Sequence, residues 1–183
     1  VAVKMRYMMI IDKNKLYEVY SISDDSFTVG KLIYRDDSIY VFKAFDELGR
    51  EAGIYTFKKD MVRSFLSDTE YLKKMEVCIR YWEDKNIQKV AMDGIDGETS
   101  VENILDYITS SKVIATIMTY SDEDIYTGFV SREGTSFVNI ECIDMSNAGV
   151  FAQKEIEIEN ICFIEFNSVE NDVLLYAYNQ LNN

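Results

Sequence analysis

The chain predicts an α+β protein that is mainly β: two duplicated small five-stranded barrels, each followed by a helix. Three observations carry that expectation. Residues 15–46 and 113–144 overlay without a gap at a shift of 98 positions, so that Ser23, Asp24, Gly30, Ser38 and Asp46 recur as Ser121, Asp122, Gly128, Ser136 and Asp144. Apolar residues alternate with period two through short segments in both copies, as half-buried strands require. After each set of strands the apolar period lengthens toward about three and a half residues, the signature of a helix. A repeat this long denotes duplicated modules rather than a solenoid.

In the first copy, Val1 to Ile11 is apolar with β-branched and aromatic residues, and Asp12-Lys13-Asn14-Lys15 makes a polar turn. Strands are expected over Leu16 to Ser23, Phe27 to Tyr34, Ile39 to Phe45, Ile54 to Lys58 and Met61 to Leu66. Asp24-Asp25-Ser26 and Arg35-Asp36-Asp37-Ser38 supply turn chemistry between them. Gly30, and Gly128 in the second copy, lie inside strands, where glycine marks a sharp bend or bulge, as the corner of a small barrel needs. Ser67-Asp68 is a candidate cap for a helix with Leu72, Met75, Ile79 and Trp82 on one face.

In the second copy the matching strands are Val113 to Tyr120, Ile125 to Ser131, Phe137 to Ile143, Val150 to Lys154 and Asn160 to Phe166. Asn167-Ser168 offers a cap for a helix carrying Val169, Val173, Tyr176 and Ala177. Between the copies, Asp93-Gly94-Ile95-Asp96-Gly97 is a breaker cluster, and Ser100 then caps a helix with Val101, Ile104, Leu105 and Ile108 on one side. The domain boundary is therefore placed at 92/93, giving modules 1–92 and 93–183, expected to pack through their helices. Trp82, the single tryptophan, reads as a packing residue.

Composition bounds the function. Hydrophobic residues make up 48 % of 183 positions, enough for folded cores. No window is apolar enough to span a membrane, so no membrane partner is expected. Cys78, Cys142 and Cys162 sit inside apolar patterns rather than at loop spacings, which reads as free thiols and a cytoplasmic protein. The formal charge of -13 is unevenly held. Residues 1–90 carry 16 Lys+Arg against 15 Asp+Glu, whereas residues 91–183 carry 3 against 17. The second half should therefore repel phosphate and attract basic proteins.

With Gly30, Leu32, Asp36 and Asp37 in the first copy, and Gly128, Val130 and Val138-Asn139-Ile140-Glu141-Cys142 in the second, the strand pattern resembles the Sm-like small barrel, a member of the SH3-like class. Each copy matches part of that family's first motif. The family's second, Ile-Arg-Gly-like turn has no counterpart in Met61-Val62-Arg63-Ser64 or Glu159-Asn160-Ile161-Cys162. The resemblance implies two small barrels and, as an alternative function, an RNA-binding regulator acting through the first.

Enzymatic templates are poorly supplied. Histidine is absent, which removes Ser-His-Asp and Cys-His sites and the commonest zinc ligand. No phosphate-cradling glycine loop is present. Asp122-Glu123-Asp124, with Asp93, Asp96 and Glu98, reads as solvated turns rather than a calcium loop. No catalytic residue, metal or cofactor is expected.

Two binding surfaces remain. Glu155, Glu157 and Glu159 alternate with Ile156 and Ile158, placing three carboxylates on one face of an extended segment. With Glu133, Glu141 and Asp144 they are the candidate docking surface for a basic protein partner, in the manner of an inhibitor, immunity protein, adapter or nucleic-acid mimic. The alternative is nucleic acid on the first barrel, through Lys31, Arg35, Tyr34, Tyr40, Lys58 and Lys59, since cations among aromatics suit single strands. Interleaved acids leave that half near neutral and favour the protein partner. Exposed strand edges also allow homo-oligomers.

Overall fold

A computed structural model describes residues 11–23, 25–87, 89–93, 95, 98–121 and 124–182. All but Ile11 of the expected opening segment Val1 to Ile11, the turn positions Asp24, Asp122 and Glu123, and Gly94, Asp96 and Gly97 of the breaker cluster lie outside the described residues. The chain runs β1 (Leu16–Ser21), β2 (Phe27–Arg35), β3 (Ile39–Phe45), β4 (Glu51–Lys58), a 3-10 turn (Lys59–Met61), β5 (Val62–Leu66) and α1 (Glu70–Lys85). It continues with α2 (Val101–Ser111), β6 (Ile114–Thr119), β7 (Ile125–Arg132), β8 (Phe137–Ile143), β9 (Val150–Glu157), a 3-10 turn (Ile158–Asn160), β10 (Ile161–Phe166) and α3 (Val169–Leu181). All ten expected strands form, with ends shifted by a few residues.

The strands make one antiparallel sheet in the order β5-β1-β2-β3-β4-β10-β6-β7-β8-β9. That sheet is open, so hydrogen bonding does not close either half into the expected barrel. Each half nevertheless repeats the same pairing. Tyr20 faces Ser64 and Val19 faces Phe65 across β1 and β5, as Met118 faces Phe163 and Ile117 faces Ile164 across β6 and β10. Both pairs carry a register irregularity at the same place, next to Ser21 in one and next to Ile161 in the other.

The halves meet through a strand pair rather than through helices alone. β4 lies against β10, with Phe57 opposite Phe163, Thr56 opposite Ile164, Tyr55 opposite Glu165 and Ile54 opposite Phe166. β10 is thus hydrogen-bonded on both sides, to β4 and to β6. The edge that a lone module would expose is covered by its twin, which removes unpaired backbone groups from solvent. Burial follows the same line: Ile39, Val41 and Ile54 of the first half share a cluster with Ile104, Leu105 and Ile108 of α2 and with Ile117, Ile140 and Ile164 of the second. A separate aromatic cluster fills the first half, around Tyr17, Leu32, Phe42 and Phe57.

Gly128 has a local cause. A Cβ there would stand 1.9 Å from the Glu141 carbonyl oxygen, so β7 and β8 approach too closely for any side chain. At Gly30 the neighbour is Phe42, at 3.0 Å.

The helices begin at caps. Thr69, one residue beyond the expected Ser67-Asp68, accepts from the Leu72 N–H to start α1, which seats Leu72 and Met75 against Leu16, Val29 and Phe45. Trp82 at its far end donates Nε1–H to the Leu48 carbonyl at 2.9 Å, a packing role. Ser100 caps α2, whose Val101, Ile104, Leu105 and Ile108 are all buried as expected. Ser168 caps α3, but the buried face differs from the expected one. Val173 and Tyr176 are 63% and 66% exposed, while Leu174, with Leu175 and Tyr178, packs on Ile114, Phe129 and Ile143. The helix is apolar on more than one side, so periodicity alone leaves its rotation undecided, and the fit to Phe129 sets it.

Candidate functional site

β9 is an end strand of the sheet, and β5 is the other. Along β9, Glu155 and Glu157 are exposed, while Ile156 between them is buried against β8. The register sets Glu157 opposite Phe137, Glu155 opposite Asn139 and Gln153 opposite Glu141. Residues directly opposite share a face, so Glu141, Glu155 and Glu157 form one acidic face together. Gln153 donates to Glu141 at 3.2 Å and holds that carboxylate beside β9. The expected face of three carboxylates ends at Glu157, because the extended strand stops there: Glu159 lies in the 3-10 turn, exposed.

The remaining two acids of the expected strip are placed otherwise. Glu133 is exposed in the β7–β8 turn, next to Arg132, whose guanidinium is held by Asp106 at 2.7 Å. Asp144 is half-buried in the β8–β9 turn and accepts from the backbone N–H and the hydroxyl of Ser146, at 2.7 and 2.6 Å. The Ser146 hydroxyl and amide hold the Asp144 carboxyl below its usual range. Its oxygens build the turn.

A second feature lies where the halves meet. A recess of about 760 Å³ is lined by Arg35, Lys58, Lys59, Arg63, Tyr40 and Tyr120, with Ser64 and Phe65 along its β5 wall. It gathers Arg35, Tyr40, Lys58 and Lys59 of the six residues expected for nucleic acid. Lys31 and Tyr34 stand apart: Lys31 faces Lys43 across β2 and β3, and Tyr34 donates weakly to Asp36 with Lys13 over its ring.

The recess is shaped by aromatic contacts and by charge. Tyr40 meets Phe65 edge-on at 5.0 Å, and the Lys59 ammonium sits 5.5 Å above the Tyr40 ring. Burial raises the Tyr40 phenol pKa, with Arg35 pulling the other way. Tyr120, from the second half, donates to Asp60, and burial together with that carboxylate raises its pKa. Asp37, Asp60 and Glu159 also line the recess, so four cations face three carboxylates there. The β2–β3 rim is fixed by Asp36, which accepts from the Ser38 and Ile39 amides at 2.6 and 2.9 Å. Burial works against the Asp36 charge, but these bonds win and its pKa falls.

Phe65, Ser64 and Tyr120 carried no sequence signal for this place. Tyr120 is 60 residues from Asp60 and arrives only because β10 lies between β4 and β6.

Comparison with protein-family models, curated proteins and solved structures finds no match. Among the described residues no group of three or more Cys, Asp or Glu side chains is arranged to hold a metal ion. No helix among them is long and apolar enough to cross a membrane. All three cysteines are free thiols; burial raises the Cys142 pKa and pushes that of Cys162 up to about 11, which makes both poor nucleophiles.

Proposed function

We propose that the protein is a non-enzymatic, cytoplasmic interaction module that engages a basic protein through the acidic strand β9. The observation that carries this reading is the placement of Glu155 and Glu157, exposed together on a strand at the end of the sheet. Backbone N–H and C=O groups on such an edge suit strand addition, and the carboxylates select a Lys- or Arg-bearing partner. The surrounding half, with 17 Asp+Glu against 3 Lys+Arg over residues 91–183, adds long-range attraction of the same sign. The repeated β1–β5 and β6–β10 registers support reading the two halves as twin modules of an Sm-like kind.

Charge reversal tests it. Glu155→Lys, Glu157→Lys and Glu159→Lys together should abolish salt-sensitive capture of a basic partner, followed by titration. Unchanged affinity would remove the strip from the account.

A second reading rests on the recess, where four of the expected cationic and aromatic residues converge. In it, a short single strand stacks on Tyr40 with its phosphates on Lys58, Lys59 and Arg63. A gel shift with single-stranded RNA at low salt tests it, since counterion release makes such binding strongest there. The three carboxylates in the same recess place this reading second.

A further inference from the structure

The joint between β4 and β10 has an open counterpart elsewhere in the same chain. β9 occupies in the second half the place of β4 in the first: Tyr40 faces Phe57 across β3 and β4, as Val138 faces Ile156 across β8 and β9. β5 likewise occupies the place of β10, by the shared registers against β1 and β6. β4 and β10 are joined, whereas β9 and β5 are the two ends of the sheet. Two complementary halves of one joint are therefore the two strands left without a second neighbour in the sheet.

We propose that β9 of one molecule pairs antiparallel with β5 of a second copy, repeating the β4–β10 joint head to tail. The inference rests on the reading that β9 docks a basic surface, and it names that surface. Transferring the internal register makes it specific. Phe57 opposite Phe163 becomes Ile156 opposite Ser64 of the second copy, and Thr56 opposite Ile164 becomes Glu155 opposite Phe65. One step beyond the last pair of the internal joint, Glu157 comes beside Arg63 of the second copy, the residue that the β1–β5 irregularity skips, with Glu155 diagonal to it. Opposite charges directly across a strand pair stabilise it, and like charges there oppose it.

Three features agree with this occupant. Arg63 is exposed on β5, and with Lys58, Lys59 and Arg35 around the recess the cations there outnumber Asp37, Asp60 and Glu159 by four to three. β9 is the acidic end. Both edges also hold apolar side chains in solvent, Phe151 at 68% and Leu66 at 47%, beside the charges of Glu155, Glu157 and Arg63. Because the two edges differ, the contact is heterologous and leads to a ring or a filament rather than a twofold dimer.

Sedimentation velocity of the full chain over a range of concentration and salt tests the pairing, for wild type, Arg63→Glu, Glu157→Arg and the double variant. Wild type is expected to form multimers that dissociate with salt. Each single reversal should weaken assembly at least about tenfold, and the double variant should regain it, since the pair is restored with its signs exchanged. Circular dichroism confirms that each variant is folded. A wild type that is monomeric throughout, multimers unaffected by either reversal, or a double variant no better than the singles would overturn the proposal. Binding of an Arg-rich peptide to the Arg63→Glu variant, which keeps β9 intact, is measured in parallel. Peptide binding alongside a monomeric wild type overturns self-pairing and leaves the acidic strand as a docking site; loss of both overturns both.

Discussion

Phe57 and Phe163 face each other across the strand pair that joins the two halves, their ring centroids 4.9 Å apart. Phe57 also belongs to the aromatic cluster of the first half, 6.2 Å from Phe42. One side chain thus supports both the interior of its own module and the joint to the other. Phe57→Ala is expected to cost about 3 kcal/mol, the usual loss for a buried Phe replaced by Ala. Urea unfolding followed by circular dichroism measures it, with a single transition expected for both halves because they share the cluster around Ile54, Leu105 and Ile164. Two separate transitions in the wild type would contradict a shared core.

Asn167 is a second tie. It is buried, it adopts a left-handed backbone at φ 47°, and its side chain donates to the Ala91 carbonyl at 3.0 Å while accepting from the Tyr107 hydroxyl. The linker, α2 and the β10–α3 corner therefore meet at one amide. Asn167→Ala removes both bonds and places a Cβ residue without local hydrogen bonding in the left-handed region. A loss of roughly 2 kcal/mol is expected in thermal or denaturant melts. Asn167→Asp should keep the left-handed backbone and the Tyr107 bond but sets a carboxylate oxygen against the Ala91 carbonyl, so it should destabilise too, and less at acid pH than at neutral pH.

Glu165 gives the pH dependence an unusual sign. Burial is the main cause that raises its pKa, with Glu170 adding repulsion and a hydrogen bond from Ser168 opposing. A carboxyl whose folded pKa lies above its unfolded value takes up its proton first in the folded state. Its contribution therefore improves as pH falls through the folded pKa, and is unfavourable above it. Glu165→Gln should raise the melting temperature near neutral pH and flatten its change toward acid. Asp36 and Asp144 act oppositely: their pKa values are depressed, so the stability they contribute is present above the unfolded carboxylate range and lost as pH falls below it. Melting temperature against pH for wild type and Glu165→Gln separates the two behaviours.

Gly128 and Gly30 occupy equivalent places, yet their substitutions should differ. A Cβ at position 128 meets backbone, the Glu141 carbonyl at 1.9 Å, which cannot move without parting β7 from β8. At position 30 it meets the Phe42 side chain at 3.0 Å. Gly128→Ala should cost at least about 3 kcal/mol and Gly30→Ala about 1 kcal/mol, the range for overpacked sites. Equal costs would contradict the strand spacing described.

The strands were legible because alternation of apolar residues is a local signal, and the near-identical spacing of the two copies reinforced it. α2 was legible for the same reason: Ser100 and a single apolar stripe leave one way to seat it. What joins the copies was not. Tyr55, Phe57 and Phe163 read only as strand residues, and nothing local says that β4 takes its neighbour from the other half instead of closing its own barrel. The rotation of α3 was equally hidden, since Val173 and Tyr176 are as apolar as the Leu174 and Tyr178 that pack. In the candidate site, alternation predicted the shared face of Glu155 and Glu157. The turn chemistry that consumes Asp144, and the long-range approach of Tyr120 to Asp60, depend on tertiary placement.

The acidic strand is tested most directly by titrating a labelled Arg-rich peptide against dilute protein at low and high salt, comparing wild type with the Glu155→Lys, Glu157→Lys, Glu159→Lys variant. The account predicts binding to the wild type that weakens as salt screens it, and a loss of at least about tenfold in the variant at low salt. Equal affinity of the two proteins, or binding indifferent to salt, would contradict it.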